Sequence, residues 1–353
     1  MSAKMLCIIK KEAATGAEFA ELDIPTPGPG EALVKIRAAS ICGTDHHIYN
    51  WDPWAQKRIK PPMIFGHECC GTVVEIGQGC KNVKVGDSVS LETHIPCGHC
   101  AQCLTGNMHL CANVEILGVD RNGVFAEYVA VPEIVCWKND PNLSPITASI
   151  QEPFGNATYC VMEGKVSLKK IAIIGDGPIA CFACGIAKAV GAAVIYNLGM
   201  IDFNLDIAKR MGAHVSVNVE KDKDYIRRIV EETNGGVDVV LDMAGNQAAI
   251  RDGLALLKRT GTFIAFGIPS RPIEVDYAEG LVFKGTNLIA INGRKMFETW
   301  FQVKALLDYK LVDPSPAITH VIPFKDALKG LDLVCNHREP ASKLVFNPMP
   351  SDE

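Results

Sequence analysis

The stretch Ile171-Ala-Ile-Ile-Gly-Asp-Gly-Pro-Ile-Ala180 decides the fold. It opens with a continuous apolar run, which is typical of a buried parallel strand. The turn that follows fits the pattern G-x-G-x-x-G/A, and proline suits the first turn of a helix. A glycine turn between strand and helix lays a pyrophosphate on the helix N-terminus. The stretch therefore predicts a dinucleotide-binding domain, with the cofactor contacting Gly175, Gly177, Pro178, Ile179 and Ala180.

Apolar strands and helical segments alternate beyond this turn. Strands are predicted at Val194–Asn197, Val237–Leu241 and Thr262–Phe266, and helices at Tyr225–Thr233 and Gln247–Leu257. Such alternation indicates a parallel, doubly wound α/β sheet.

The dinucleotide fingerprint is incomplete at the second strand. An acidic residue about 20 positions after the turn normally binds the adenosine ribose. Position 199 is instead a glycine, and the nearest acid is Asp202. No Lys or Arg stands between Lys188 and Lys209 to receive a 2′-phosphate. We therefore expect NAD rather than NADP, bound weakly and with poor discrimination around Gly199, so that Gly199→Asp should tighten NAD binding.

The first 150 residues have a different pattern, with short alternating runs between glycines, prolines and asparagines. They predict the strands of an irregular all-β unit at Ala32–Ala38, Gly71–Ile76, Ser88–Leu91 and Ala126–Val131. The C-terminal tail ends in strand-like pieces at Thr319–Ile322 and Lys343–Phe346, which we expect to pack on this unit. The predicted domains are therefore 1–155 with 295–353, and 156–294 between them.

Composition excludes several classes of function. The 35 basic and 40 acidic residues give a net charge of −5, which argues against a nucleic-acid or anionic-membrane partner. The apolar run of the N-terminus is too short for a signal peptide, so a cytoplasmic location is expected. In a reducing compartment the 14 cysteines are expected to be metal ligands or small core residues rather than disulfides.

Four cysteines form the strongest local signal, in Cys97-Gly-His-Cys-Ala-Gln-Cys103 and at Cys111. Their thiolates can surround one tetrahedral zinc ion and leave no open coordination position. The cluster of Cys97, Cys100, Cys103 and Cys111 therefore predicts a structural zinc site, with His99 and His109 outside the shell.

A second set of candidate ligands comprises Cys42, His67 and Glu68, with Glu152 further along the chain. A catalytic zinc ion keeps a position open for water or substrate, and one thiolate, one imidazole and one carboxylate allow that. Spacing alone leaves open whether these residues converge.

Together, the three motifs resemble the medium-chain, zinc-containing alcohol dehydrogenase family over the whole chain. The resemblance rests on four stretches: Ile41-Cys-Gly-Thr-Asp-His-His-Ile-Tyr-Asn-Trp-Asp-Pro-Trp54, Gly66-His-Glu68, Glu152-Pro-Phe-Gly-Asn156 and Gly293-Arg-Lys-Met-Phe-Glu-Thr-Trp300. The first and last are similar to the branch that oxidises L-threonine. A polyol, sugar-alcohol or diol dehydrogenase of the same fold is one alternative, and a non-catalytic NAD(P)-sensing or scaffold protein is another.

The resemblance implies a GroES-like β domain that carries both zinc sites, with an inserted Rossmann domain. It assigns the catalytic zinc ion to Cys42, His67 and Glu68, with Glu152 as an interchangeable fourth ligand or neighbour. It implies a proton relay through Thr44 and His47, a substrate contact at His94, and cofactor contacts that include Arg294. A small alcohol substrate and a homo-tetramer complete the expectation.

Overall fold

The computed structural model describes residues 3–336, 338–347 and 349, which form two compact units. One unit runs to Pro153 and resumes at Ile318, and the other spans 154–317. The first boundary lies close to the predicted one. The second differs from the predicted 294/295, because the helix at Glu298–Asp308 packs within the second unit. Its Val303 is fully buried and lies beside Gly155.

The second unit is built on a parallel sheet with helices between its strands. Its elements are β11 Lys170–Ile174, α6 Pro178–Ala189, β12 Val194–Gly199, α7 Asp202–Met211, β13 Val215–Asn218, α8 Tyr225–Glu232, β14 Val237–Asp242, α9 Gln247–Leu256, β15 Leu257–Ala265, β16 Asn287–Ala290 and α10 Glu298–Asp308. The strand order is β13-β12-β11-β14-β15-β16, with every pair parallel. This is the doubly wound dinucleotide-binding order, as predicted.

The glycine turn joins the central strand β11 to α6. Residues 171–174 of β11 are all buried, and α6 begins at Pro178 with Gly177 as its N-cap. The helix has a buried run from Ala180 to Ala187, which explains the apolar composition of this stretch. Among the described residues, no helix has the length and apolar character needed to cross a bilayer.

The first unit consists mainly of β-strands. Its elements are β1 Lys4–Lys10, β2 Glu18–Asp23, β3 Glu31–Ser40, α1 Gly43–Asn50, α2 Pro53–Arg58, β4 Met63–Ile64, β5 Glu68–Ile76, β6 Ser88–Leu91, β7 His94–Ile95, α3 Ala101–Leu104, β8 Glu115–Ile116, β9 Tyr128–Pro132, β10 Cys136–Lys138, α4 Pro145–Ser149, β17 Ile318–Ile322, α11 Ala327–Cys335 and β18 Lys343–Phe346, and α5 Gln151–Glu163 crosses the unit boundary.

A mixed seven-stranded sheet organises this unit. Its order is β10-β6-β5-β3-β18-β17, and β9 also pairs with β3. Strand β18 lies antiparallel to β3, with Val345 opposite Ser40. The C-terminal strands therefore complete a sheet that the first 140 residues begin, so this unit is discontinuous in sequence.

Candidate metal centres and cofactor turn

The four clustered cysteines converge in the loop around α3. Their sulfur atoms lie within 4.8 Å of one another, with Cys100 Sγ 3.5 Å from Cys103 Sγ and 3.8 Å from Cys111 Sγ. Thiolates bound tetrahedrally at about 2.3 Å from zinc would be about 3.8 Å apart. The sulfur spacing therefore fits a four-thiolate zinc site.

Backbone groups around this cluster favour negative charge. Backbone N–H groups, that of His99 foremost, lower the pKa of the Cys97 thiol to about 6. Hydrogen bonding from the Cys103 backbone lowers the pKa of Cys100. Cys111 Sγ accepts hydrogen bonds from the backbone N–H groups of Cys97 and Asn113, each at 3.3 Å. Thiolates are the form that binds zinc.

Cys42, His67 and Glu68 also come together, although 24 residues separate the first two. Cys42 precedes α1, while His67 and Glu68 stand where β5 begins, with Glu68 opposite Ser40 of β3. One ligand atom from each of the three lies within 4.8 Å of the others. Gly66 has φ +85°, and a Cβ there would come within 2.4 Å of the Phe125 ring, so only glycine allows this approach to the site.

A buried carboxylate, Asp45, lies behind His67. Asp45 Oδ1 is 3.8 Å from His67 Nδ1, and neither atom has a hydrogen-bond partner within the described part of the chain. Burial raises the pKa of Asp45 to about 6, which His67 opposes. Burial also disfavours the charged form of His67, but Cys42 and Asp45 outweigh it and raise its pKa to about 10. Acidic groups thus surround the His67 ring, and the Asp45 carboxylate lies beside its Nδ1 without a hydrogen bond.

Glu68 is held by the C-terminal strand. Lys343 Nζ, on β18, donates to Glu68 Oε1 at 3.0 Å and Oε2 at 2.8 Å, and to the Ile41 carbonyl at 2.8 Å. Ser40 Oγ also donates to Glu68 Oε2. Lys343 is buried, which by itself lowers its pKa, but Glu68 and Cys42 outweigh burial and the pKa is raised.

Glu152 lies near this set but outside the group of mutually close ligand atoms. Its Oε1 accepts a hydrogen bond from Thr93 Oγ1 at 3.1 Å, and the residue is buried. Its charge contributes to the raised pKa of both His67 and Lys343. The arrangement fits a carboxylate adjacent to the metal, while its exchange with Glu68 stays a prediction.

The two predicted relay residues lie on one face of α1, three positions apart. Thr44 Oγ1 is 4.0 Å from Cys42 Sγ. His47 is exposed at the far side, and its Nδ1 is 2.5 Å from Asp52 Oδ2. Asp52 is the N-cap of α2, where its Oδ1 accepts from the backbone N–H groups of Trp54 and Ala55. The neighbouring His46 contacts the Cys335 carbonyl at 2.8 Å instead.

His94 and Arg294 are both buried. His94 Nδ1 lies 3.1 Å from Glu92 Oε1, in the first unit. Arg294, in the second unit, donates to Asn156 Oδ1 at 3.0 Å and lies over the Trp300 ring. Their predicted contacts with substrate and cofactor stay predictions.

The structure differs from the sequence-based expectation at Gly199, the end of β12 where an acid would bind the ribose. A Cβ at Gly199 would lie 2.5 Å from Asp176 Cβ and 2.7 Å from Asp176 Oδ2. An aspartate at position 199 therefore has no room, and the predicted benefit of Gly199→Asp loses its physical basis. Asp202 bonds to Asn218 and Lys221, so it is engaged away from the turn.

Sequence reasoning missed four charged residues that the fold places at these sites: Asp45, Asp52, Asp176 and Lys343. The first three stand inside motifs that the sequence analysis quoted, so their acidic character was a signal. Lys343 stands 275 residues from Glu68, and nothing local marks it.

Comparison with known proteins identifies the family. The model of the alcohol dehydrogenase GroES-like domain matches residues 28–141, and that of the zinc-binding dehydrogenase matches 178–308. The chain belongs to the zinc-binding alcohol dehydrogenase family. It is 48% identical to an L-threonine 3-dehydrogenase of Bacillus velezensis, over 99% of this chain and 100% of that protein.

Solved structures of the family superpose over nearly the whole chain. An Escherichia coli alcohol dehydrogenase complexed with NADH has a TM-score of 0.89 and 25% identity, covering 98% of this chain and 99% of its own. A zinc-binding dehydrogenase of Sinorhizobium meliloti bound to NADP has a TM-score of 0.88 with the same identity and coverage. The predicted fold class and dehydrogenase character are confirmed.

The two ligand sets predict two zinc ions per chain with separate roles. Cys100→Ser should lose one ion and lower stability, because a structural zinc site contributes folding free energy directly. Cys42→Ser should abolish turnover and leave the fold intact, because its site is open rather than structural. Elemental analysis, thermal unfolding and turnover of each variant would check this.

Cys80→Ser provides the matched control. Cys80 bonds to the Glu31 carbonyl, outside both sets, and its replacement should keep both ions and full activity. One zinc ion or none in fully active protein would contradict the assignment.

Proposed function

We propose that the protein oxidises the secondary alcohol of L-threonine, with zinc and NAD, to 2-amino-3-ketobutyrate. The observation that carries this proposal is the open set of Cys42, His67 and Glu68 beside the proton-relay face of α1. Identity of 48% over the full length of an L-threonine 3-dehydrogenase supports the substrate.

Cys42, His67 and Glu68 would hold the zinc ion, with Asp45 orienting His67 and Lys343 orienting Glu68. Bound zinc supplies Lewis acidity, which lowers the pKa of the substrate hydroxyl. Bound NAD supplies the acceptor for the hydride from C3.

The protein's own residues remove the hydroxyl proton. Thr44, next to a ligand, accepts it and passes it towards His47 at the surface. Asp52 holds the His47 ring at 2.5 Å, and solvent takes the proton from this exposed ring. The net reaction removes a hydride and a proton from the substrate, so C3 becomes a ketone.

A substrate panel tests the proposal directly. Initial rates with L-threonine, 2,3-butanediol and sorbitol, each with NAD and with NADP, should be highest with L-threonine and NAD. A higher rate with either of the other two alcohols would favour the polyol or diol alternative. No turnover of any of them by zinc-loaded protein would favour the non-catalytic alternative. The tetrameric assembly and the cytoplasmic location stay predictions.

The relay generates a second prediction. His47→Ala should slow L-threonine turnover by about 10²–10⁴-fold without changing zinc content, since a relay group acts on protons and not on metal affinity. Asp52→Asn should slow it less, because the ring loses its charged partner and keeps its nitrogen. Rates from pH 6 to 9 and elemental analysis provide the measurement.

His320→Ala is the matched control, because His320 is paired with Glu339 at 3.2 Å in a similar surface arrangement outside the relay. It should leave the rate unchanged. A His47→Ala variant with the unmodified protein's rate across this pH range would exclude the relay.

A further inference from the structure

We propose that Asp176 supplies the carboxylate that binds the adenosine ribose hydroxyls of NAD and discriminates against NADP, in place of an acid at position 199. The inference rests on the nicotinamide chemistry of the proposed function and specifies which residue of this chain selects the cofactor. Asp176 occupies the x position between the first two glycines of the G-x-G-x-x-G/A turn.

The Asp176 side chain occupies the end of β12. Its Oδ2 accepts hydrogen bonds from the backbone N–H groups of Met200 and Ile201, each at 2.7 Å. Those residues directly follow Gly199, the last residue of β12. The carboxylate therefore reaches across from the first crossover to the strand end where the fingerprint places its acid.

The glycine at 199 is complementary to this arrangement. A Cβ there would lie 2.5 Å from Asp176 Cβ and 2.7 Å from its Oδ2, closer than side-chain atoms approach. Only one of the two positions can therefore carry a carboxylate. Gly199, which by sequence lacks the expected ribose contact, leaves the space that the Asp176 side chain occupies.

One oxygen of Asp176 remains available to a ligand. Asp176 is half-buried, and its Oδ1 has no hydrogen-bond partner within the described ranges. A carboxylate oxygen fixed at the strand end can accept from ribose hydroxyls, which are donors. Because Oδ2 is anchored by two backbone groups, Oδ1 is held in place without a ligand.

The charged residues Asp202 and Lys221 nearby are paired with other groups and do not replace Asp176 as a contact for the ribose. Asp202 accepts from Asn218 Nδ2 at 2.7 Å and pairs with Lys221. Lys221 is paired with Asp202, so its charge is partly compensated and attracts a 2′-phosphate less strongly. Asp176 would instead lie against that phosphate, and two like charges repel strongly at such a distance.

The first test is Asp176→Asn in the zinc-loaded protein, with NADH and NADPH titrated by fluorescence. Asparagine keeps an acceptor for the backbone of Met200 and Ile201, so the turn should stay folded. NADH should bind about ten- to a hundredfold more weakly, because a charge-assisted hydrogen bond is lost. NADPH should bind about tenfold more tightly, because the repulsion is removed.

The second test exchanges the two positions. Asp176→Gly combined with Gly199→Asp should return most of the NADH affinity, since glycine at 176 removes the Cβ that blocks position 199 and the carboxylate is then supplied from β12. Gly199→Asp alone should weaken NADH binding, because it meets the Asp176 side chain. Adenosine 2′,5′-bisphosphate and ADP-ribose, used as competing probes, confine the measurement to the adenosine end.

Asp206→Asn is the control for the loss of one negative charge. Asp206 is exposed on α7 and pairs with Arg210, so its replacement should change neither affinity. The proposal is overturned if Asp176→Asn weakens NADH and NADPH by the same factor, which means that the carboxylate only anchors the turn. It is also overturned if neither affinity changes.

These binding results are separable from the substrate proposal. A protein that turns over L-threonine but keeps its NADH preference in Asp176→Asn refutes the inference alone. A protein that fails on L-threonine but shifts its preference refutes the substrate alone. Failure of the unmodified protein to bind either dinucleotide refutes both.

Discussion

The ion pair between Lys343 and Glu68 is the interaction on which the first unit depends. It lies in the interior, with both side chains almost wholly removed from solvent. A buried carboxylate without a partner is strongly destabilising, so Glu68 requires the ammonium group, and the third proton of that group is bound by the Ile41 carbonyl. Because Ile41 precedes Cys42, the Lys343 side chain bonds at or next to two of the three candidate ligand positions.

This constraint explains why the unit is discontinuous in sequence. Strand β18 follows the second unit in the chain and pairs with β3, and this pairing brings Lys343 to Glu68. The cysteine cluster does not require a strand from a distant part of the chain, because its four cysteines lie within 15 residues and a single loop brings them together. One site is thus assembled by local chain geometry and the other by the sheet.

The sequence predicted β11, β12, β14 and β15 because their buried residues form continuous apolar runs, whereas the more exposed edge strands β13 and β16 were not predicted. The predicted strand Val237–Leu241 ends one residue short of β14. In the first unit, the predicted strand Lys343–Phe346 coincides with β18. The second boundary lies after α10 and not at the predicted 294/295, because helical periodicity in α10 does not show which unit the helix packs on.

Candidate ligands could also be named from the sequence, since cysteine, histidine and glutamate in short motifs carry a chemical signal, and their binding of zinc stays a prediction. Their partners could not be named. Asp176 is visible in the sequence of the glycine turn. Its contact with the end of β12, however, depends on the approach of two loops in the folded chain. The sequence shows that position 199 carries no acid, but a pattern in one strand cannot show that the neighbouring turn brings the Asp176 carboxylate to the same strand end.

A double-mutant cycle on Lys343 and Glu68 tests most directly whether this ion pair holds the first unit together. Denaturant unfolding would be measured for Lys343→Met, Glu68→Gln and the double variant after zinc has been removed from the set of Cys42, His67 and Glu68, so that no metal ion compensates the carboxylate. Lys343→Met should lose about 3–5 kcal/mol, because it leaves a buried carboxylate uncompensated. The double variant should recover a large part of that loss, since the uncompensated charge is gone. Losses that simply add, or a Lys343→Met variant as stable as the unmodified protein, would contradict the account.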